Sequence, residues 1–453
     1  MRWAWSVAWR NLRRNRKRNI ATLAAIAFGY AGLVLLGGYA VRVERFLKTN
    51  AVFLQHTGHV AVWKRGGLDR AAAEPDKYQL DAKEAAAVLA LAKNDARVEL
   101  ATRYLTGVGM AGNACTTRPA QLLGVEPGAH KALLEHPELA IASPELAATV
   151  QGRWPYALPG VKNGIAVAVG LQTILQKPKV HDETVGHPPA PTVLACDTPD
   201  AVTQLAADAD VQLVGQTYDG TMNAVDGEMT ATFHAPEPMA ENTQILMPLV
   251  LLQQLYATDN VTYIGLILHD SHQAQAVATD LQTALAKQGH AVETYTYTDA
   301  TWAPMYVGTM AFLGSMVGFI TLLVSAVLVF TVAGAMTLAI LERTREIGTW
   351  RSLGFERRHV SAIVVREAIL LSIIGLAIGL AIGVSAALAI NAANIRFAPP
   401  GVAGTIQLMI TPAVWACLAQ AMLMPPGIAL ATWWVVRGQL KKKPVELLTA
   451  ATG

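Results

Sequence analysis

The sequence predicts an α-helical membrane bundle of four transmembrane helices, plus a mixed α/β extracytoplasmic domain inserted between helices 1 and 2. Three observations predict it. Apolar stretches at residues 20–41 and at about 306–341, 360–392 and 411–436 each exceed the ~20 residues that cross a ~30 Å hydrocarbon layer. Between the first and second lie about 260 residues with the texture of a water-soluble domain. Charge divides along the same line: residues 45–305 hold 17 Lys+Arg against 27 Asp+Glu, and the remainder holds 19 against 6. At 53% hydrophobic and 15% charged, the chain is too apolar for a soluble protein and too polar for a purely membranous one.

Basic residues orient the spans. Arg10, Arg13, Arg14, Arg16, Lys17 and Arg18 precede the first, and Arg343, Arg345, Arg351, Arg357 and Arg358 lie between the second and third. Arg437 and Lys441–Lys443 follow the fourth. The positive-inside rule puts all three groups on the cytoplasmic face; Arg42, Arg45 and Arg396 are too few to reverse it. Both termini are then cytoplasmic and the acidic domain lies outside.

Each element has its own warrant. Residues 1–19 read as a cytoplasmic amphipathic elbow helix, with Trp5, Trp9 and Leu12 on one face and arginines over the rest, lying in the headgroup plane. Residues 20–41 are span 1, too long for a secretory signal despite the small residues at Gly38-Tyr39-Ala40. Helical spacing continues through Val43, Phe46, Leu47, Asn50, Phe53 and Leu54, so 42–57 is a stalk, and 304–341 is a second stalk with span 2. Tilted or broken helices are the alternative. Segments 58–112 and 244–303 form a base of βαβ type, with strands at 58–63, 98–112, 121–125, 261–268 and 291–297. Asp81-x-x-Glu84 is a capping pattern, and Ser271 caps a helix that ends at Gly289.

Residues 113–243 read as a β-rich insertion, with short strands at 165–169, 192–195, 211–216 and 229–233 and a protruding loop at 177–191. Residues 342–359 link spans 2 and 3, residues 360–392 are span 3, and residues 393–410 form an outer loop. Span 4 covers 411–436, broken or kinked at Pro425-Pro426-Gly427, before a cytoplasmic tail at 437–453. Only Arg366 and Glu367 are ionisable within the spans. Their near-absence argues against a polar path through the bundle.

Other function classes find little support. The basic residues sit at membrane boundaries, where anionic headgroups explain them without nucleic acid. His56-x-x-His59, His269-x-x-His272 and the methionines at 222, 229, 239 and 247 have metal-ligand flavour. Surface histidines and core methionines explain them more simply, so no metal or catalytic residue is expected. Cys115 and Cys196 are open to a disulfide or to two separate thiols; Cys417 reads as an apolar filler in span 4. No Gly-x-x-x-x-Gly-Lys-Ser/Thr run occurs in the 453 residues, so no nucleotide site or cofactor is expected in this chain.

The linker between spans 2 and 3 carries the clearest motif. Glu342, Arg343, Arg345 and Glu346 form a charged cluster, and Ile347, Trp350 and Leu353 or Gly354 make a narrow apolar stripe on a short helix. Taken with Trp9-Arg10-Asn11-Leu12, Gly58-His59-Val60, Gly124-Val125-Glu126-Pro127 and Pro444-Val445-Glu446-Leu447-Leu448, this arrangement resembles the permease subunits of the MacB/LolC–LolE/FtsX superfamily of ABC transporters (type VII, mechanotransmission). It is nearest the LolC/LolE-like branch, because no ATPase is fused. The exit of span 4, with Pro425-Pro426-Gly427 and Trp433-Trp434, departs from the family pattern.

The resemblance implies a coupling helix seated on an ATPase, carried here by Glu342, Arg343, Arg345, Glu346, Ile347, Gly348, Trp350, Arg351, Leu353, Gly354 and Phe355. It implies a porter-like periplasmic base and two copies of a separate ABC ATPase that bind ATP and Mg. It further implies a second permease, identical or paralogous, a bacterial inner-membrane location, and a periplasmic chaperone or adaptor. The expected function is release of lipoprotein or lipid from the outer leaflet; MacB-like efflux through an adaptor and duct, or FtsX-like regulation of a hydrolase, are the alternatives.

Overall fold

The computed structural model describes residues 2–181 apart from 15 and 143, residues 196, 203 and 206, and residues 209–397, 405–412 and 414–439. The strand expected at 192–195, most of the loop at 177–191 and the tail beyond 439 lie outside these. The chain divides into two units: Met1–Glu44, Met310–Ile395 and Gln407–Gly453 form one, and Arg45–Thr309 with Arg396–Ile406 the other.

In the first unit, long apolar runs make long helices. Four described helices are long and apolar enough to cross a membrane: Asn19–Leu54, Pro304–Glu342, Arg357–Ala392 and Cys417–Gly438. They pack through Ile26, Tyr30 and Val34 of the first, Leu328, Val332 and Met336 of the second, Leu371 of the third and Ile428 of the fourth. Gly375, Gly379 and Gly383 bring the third against the first: a Cβ on Gly379 would fall 2.5 Å from the Ala27 carbonyl oxygen. Small residues allow such backbone approach where lipid tails supply no hydrophobic drive. The Tyr30 hydroxyl donates to the Cys417 carbonyl at 2.6 Å, joining the first helix to the fourth.

Two expectations change in this unit. Helix Val414–Gln439 continues through Pro425 and Pro426 rather than breaking. Each proline removes one N–H, but Met424 and Ile428 beside them are buried in the bundle and hold the turn. The N-terminal helix Arg2–Arg14 buries Leu12 in the same core while Trp5 and Trp9 stay exposed, so its expected apolar face divides.

Among the described residues, the second unit is built on one ten-stranded sheet. Its strands are β1 (Val60–Lys64), β2 (Val98–Gly112), β3 (Thr117–Val125), β4 (Gln151–Gly152), β5 (Gly164–Ala168), β6 (Asp210–Gln216), β7 (Met222–Phe233), β8 (Gln244–Pro248), β9 (Tyr263–Leu268) and β10 (Val292–Thr296). The order is β10-β1-β9-β2-β3-β8-β5-β7-β4, with β6 bonded to both β2 and β7. That last pairing closes β2-β3-β8-β5-β7-β6 into a ring. Directions agree around it, with β3–β8 and β5–β7 parallel and the other pairs antiparallel. The strands of 113–243 therefore join those of the base in a single sheet instead of forming a separate body.

The open branch β10-β1-β9 carries helices Ala82–Asn94 and Ala274–Lys287 on one face, meeting through Val60, Val62, Val88, Leu266, Leu281 and Leu285. Phe53, Trp63, Tyr104 and Tyr263 form an aromatic cluster on the other. Asp81 and Glu84 make the expected reciprocal capping box. The second cap differs: Asp270, not Ser271, accepts from the His272 N–H, and helix Ala274–Lys287 begins after that turn. The insertion also holds short helices that strand reasoning passed over, at Pro127–Leu134, Pro137–Ala142, Pro144–Ala147 and Val169–Ile174. Cys115 and Cys196 are bridged, tying the β2–β3 turn to the chain beyond β5. Asn113 fixes that turn by accepting from the Cys115 and Thr116 N–H groups and donating to the Leu175 carbonyl.

Candidate functional site

The linker is a short, firmly terminated helix. Helix Pro304–Glu342 ends at Glu342, Arg343 leaves helical geometry, and a new helix runs Thr344–Ser352. The Thr344 hydroxyl bonds back to the Leu341 carbonyl at 2.6 Å. At the far end Gly354 has φ +92°. Its N–H donates to the Arg351 carbonyl at 3.2 Å, and the Phe355 N–H reaches the Trp350 carbonyl at 3.1 Å. These two bonds are the Schellman pattern, which needs a left-handed residue at the position Gly354 occupies. Glu356 then starts helix Arg357–Ala392.

The linker helix presents two faces. Ile347 is buried with Ile340, Val360 and Val436, and Trp350 packs partly against them; burying one such aliphatic side chain contributes about 2 kcal/mol. Gly348 is buried beside Ile347. Glu342, Arg345, Glu346 and Gly354 are exposed, and Arg343 and Arg351 are half-buried. Leu353 does not complete the expected stripe: the helix stops at Ser352, the Schellman turn swings the chain outward, and Leu353 is 73% exposed with Phe355 at 37%. The outer face thus ends in an exposed apolar tip flanked by arginines and glutamates.

Charge pins the helix at its base. The Arg343 guanidinium lies 3.3 Å from Glu367, whose side chain is almost wholly buried on the third long helix. Glu346 pairs with Arg14 of the N-terminal helix at 3.3 Å, both exposed, a pair of small energetic weight. Asn11, Arg343, Glu346, Trp350 and Glu367 line a small cleft between these elements. Sequence reasoning placed Glu367 only as a rare ionisable residue in a span. Its pairing with a linker arginine 24 positions earlier follows no local spacing, and Asn11 gave no signal beyond its motif.

The histidine pairs separate. His269 and His272 are exposed, whereas His56 and His59 are buried, which corrects their reading as surface residues. The chain leaves the π-helical turn Asn50–Leu54 and passes directly beneath the sheet there. His56 lies against Tyr104 and His130. Burial pushes the His56 imidazole down to about 4 and His130 to about 3, with His56 adding to the second shift. Burial, then Lys48 and His136, push His59 to about 3. Its Nδ1 accepts the Leu268 N–H at 3.0 Å, which a neutral ring alone permits. Among the described residues no group of three or more His, Cys, Asp or Glu side chains could hold a metal ion. The methionines divide as well: Met229 and Met247 are core, Met222 and Met239 exposed.

Residues 315–445 match the family model described as FtsX-like permease C-terminal. The chain is 28% identical over 154 residues to the pyoverdine export ATP-binding/permease protein PvdT of Pseudomonas syringae pv. syringae (strain B728a), covering 33% of this chain and 23% of that protein. It is 26% identical over 167 residues to the macrolide export ATP-binding/permease protein MacB of Bdellovibrio bacteriovorus, covering 35% and 25%. The chain therefore spans about a quarter of the length of these curated relatives. Among solved structures, the periplasmic region of MacB from Actinobacillus actinomycetemcomitans aligns with 52% of this chain and 87% of that one, at 7% identity and a TM-score of 0.30.

Proposed function

We propose that this chain, whose residues 315–445 match the FtsX-like permease C-terminal model, is a multi-pass ABC-transporter permease of the MacB/FtsX type that works as a mechanical coupler. The linker helix Thr344–Ser352 seats on a separate ATPase subunit, two copies of which bind ATP and Mg and close on each other. A second permease completes the assembly in the bacterial inner membrane. Both termini are cytoplasmic and the second unit is periplasmic. Motion imposed on the linker passes along the helices Arg16–Thr49 and Pro304–Glu342, ~51 and ~58 Å long at 1.5 Å per residue. Both overshoot a ~30 Å hydrocarbon core, and the excess serves as stalk.

One observation carries this reading: the linker has one face locked into the bundle by Ile347 and the Arg343–Glu367 pair, and another ending in the exposed Leu353 and Phe355. A lever needs that combination of rigid attachment and exposed grip. Co-purification tests it: Leu353→Asp together with Phe355→Asp should abolish ATPase association while membrane insertion is retained. Unchanged association would reject the seat.

For cargo, we propose release of a lipoprotein or lipid from the outer leaflet, because nearly charge-free spans offer no polar path across the bilayer. A second reading is export of a periplasmic small molecule or peptide, favoured by the two relatives named for exporting pyoverdine and macrolides. A proteoliposome assay with the ATPase and a cell assay separate them. ATP-dependent transfer of a radiolabelled lipoprotein to a soluble acceptor supports the first, and ATP-dependent protection from an added macrolide in cells supports the second.

A further inference from the structure

We propose that the second unit binds an uncharged, extended peptide segment in the cleft where its sheet forks. β2 bonds to β9 from Val98 to Tyr104 and to β6 from Met110 to Gly112. Between them, residues 105–109 have no strand on that side among the described residues. A cleft of about 730 Å³ opens there, with Thr106, Gly107 and Val108 on its wall. Side-chain hydroxyls stand where a neighbouring strand would bond. Thr262 Oγ1 accepts the Thr106 N–H at 2.9 Å, and the Tyr256 hydroxyl donates to the Val108 carbonyl at 3.0 Å. A bound strand would exchange these two side-chain bonds for backbone ones, and five residues match ~17 Å of extended chain.

The lining selects against charge. The second unit is rich in Asp, Glu, Lys and Arg, yet none of the residues lining this cleft is one of them, nor a histidine. Its apolar wall includes Leu68, Ala71, Val108 and Leu122, and its polar groups are chiefly the carboxamides of Gln55, Gln79, Gln121, Gln216 and Gln244. A charged ligand would shed its hydration there with no counter-charge to replace it. Carboxamides and an aliphatic wall instead match a peptide backbone with small apolar side chains.

Two of the lining residues carry a buried polar atom that has no partner. Trp63 is 6% exposed, and its Nε1–H has no acceptor. Gln244 Oε1 is likewise buried without a donor. A peptide group supplies the complementary pair, a carbonyl for the indole and an N–H for the carboxamide. Trp63 is held by stacking on Tyr263 at 5.0 Å and by the edge contact with Trp302 at 5.2 Å. Trp63 and Tyr263 are only 6% and 3% exposed, so neither offers the open ring on which a sugar would stack, and this favours a peptide over a neutral glycan.

The inference deepens the reading of the second unit as the cargo-handling part and rests on it for the peptide's role, although binding needs neither ATPase nor nucleotide. The test uses the full chain in nanodiscs and an acetylated, amidated hexapeptide of alternating threonine and valine carrying one benzoylphenylalanine. Saturable binding by calorimetry, with photo-crosslinks on residues 106–108 or 216–220, is expected. The same peptide with two lysines or two glutamates should bind at least tenfold more weakly. Trp63→Phe, which deletes only the N–H donor, should weaken binding about five- to tenfold. Val108→Glu, at an exposed position remote from the core, should weaken it at least tenfold and covers the case in which Trp63→Phe misfolds. Four results would overturn the proposal: no saturable binding, equal binding of charged peptides, indifference to Val108→Glu, or preferential binding of maltohexaose. Transport defects without binding defects would instead implicate the coupling scheme.

Discussion

Acidification should destabilise the second unit through its buried histidines, and the size of the effect follows from their environment. His56, His130 and His59 are held at about 4, 3 and 3 in the folded protein, against ~6.5 in an unfolded chain. A depressed native value means the folded state keeps the neutral ring while the unfolded chain takes up a proton. The stabilisation is complete above pH ~6.5 and is lost as pH falls toward the native values. Between pH 7 and 5 each ring costs about 2 kcal/mol, or about 6 kcal/mol for the three as an upper figure. That is a large share of a typical 5–15 kcal/mol. For His59 the reason is visible in one bond, since a protonated Nδ1 would face the Leu268 N–H donor to donor.

The assay is thermal unfolding of the full chain in nanodiscs, followed by tryptophan fluorescence; Trp63, Trp154 and Trp302 lie in this unit's aromatic cluster. Tm should fall by on the order of 10 °C from pH 7 to 5. His130→Phe should flatten the slope by about one proton, or ~1.4 kcal/mol per pH unit. A melting temperature indifferent to pH, or a slope unchanged in His130→Phe, would refute the reasoning.

Three further outcomes are expected. Replacing both Cys115 and Cys196 by serine opens a loop of 81 residues and should cost about 4 kcal/mol, read as a lower Tm that dithiothreitol no longer shifts. Gly354→Ala forces a Cβ into a φ of +92°. It should destabilise the linker turn by ~1 kcal/mol and reduce ATPase-coupled activity more than overall stability, measured by coupled hydrolysis against Tm. Glu367→Gln leaves the half-buried Arg343 without its counter-charge and should cost up to about 3 kcal/mol, while the double change Arg343→Met with Glu367→Leu recovers most of it; limited proteolysis of the membrane unit reports both.

What was legible in the sequence is what local periodicity and composition encode. Long apolar runs mark the four helices because a span must satisfy its backbone internally. Asp81 and Glu84 announce their helix because a capping box is a three-residue signal. The ring closure was not legible: β6 meets β2 across about a hundred residues, and such pairing leaves no local trace. The short helices of the insertion were hidden by their prolines. Pro127, Pro137 and Pro144 open helices, where a missing N–H costs nothing, yet proline-rich texture reads as loop. At the linker, Ile347 and Trp350 obeyed the helical period, and Leu353 left it one residue past the helix end because the Gly354 turn reverses the chain. His56 and His59 could not be placed by spacing, since their burial depends on a sheet assembled from distant strands.

The account stands on the linker and the second unit facing opposite sides of the membrane, and one labelling experiment decides it. Cys115 and Cys196 are bridged and Cys417 is buried, so an introduced thiol stands out. Met239→Cys, at a side chain 90% exposed, should react with a membrane-impermeant maleimide in intact spheroplasts. Leu353→Cys should react only after permeabilisation, and then be shielded when the ATPase is bound. Labelling of both thiols in intact spheroplasts would contradict the account.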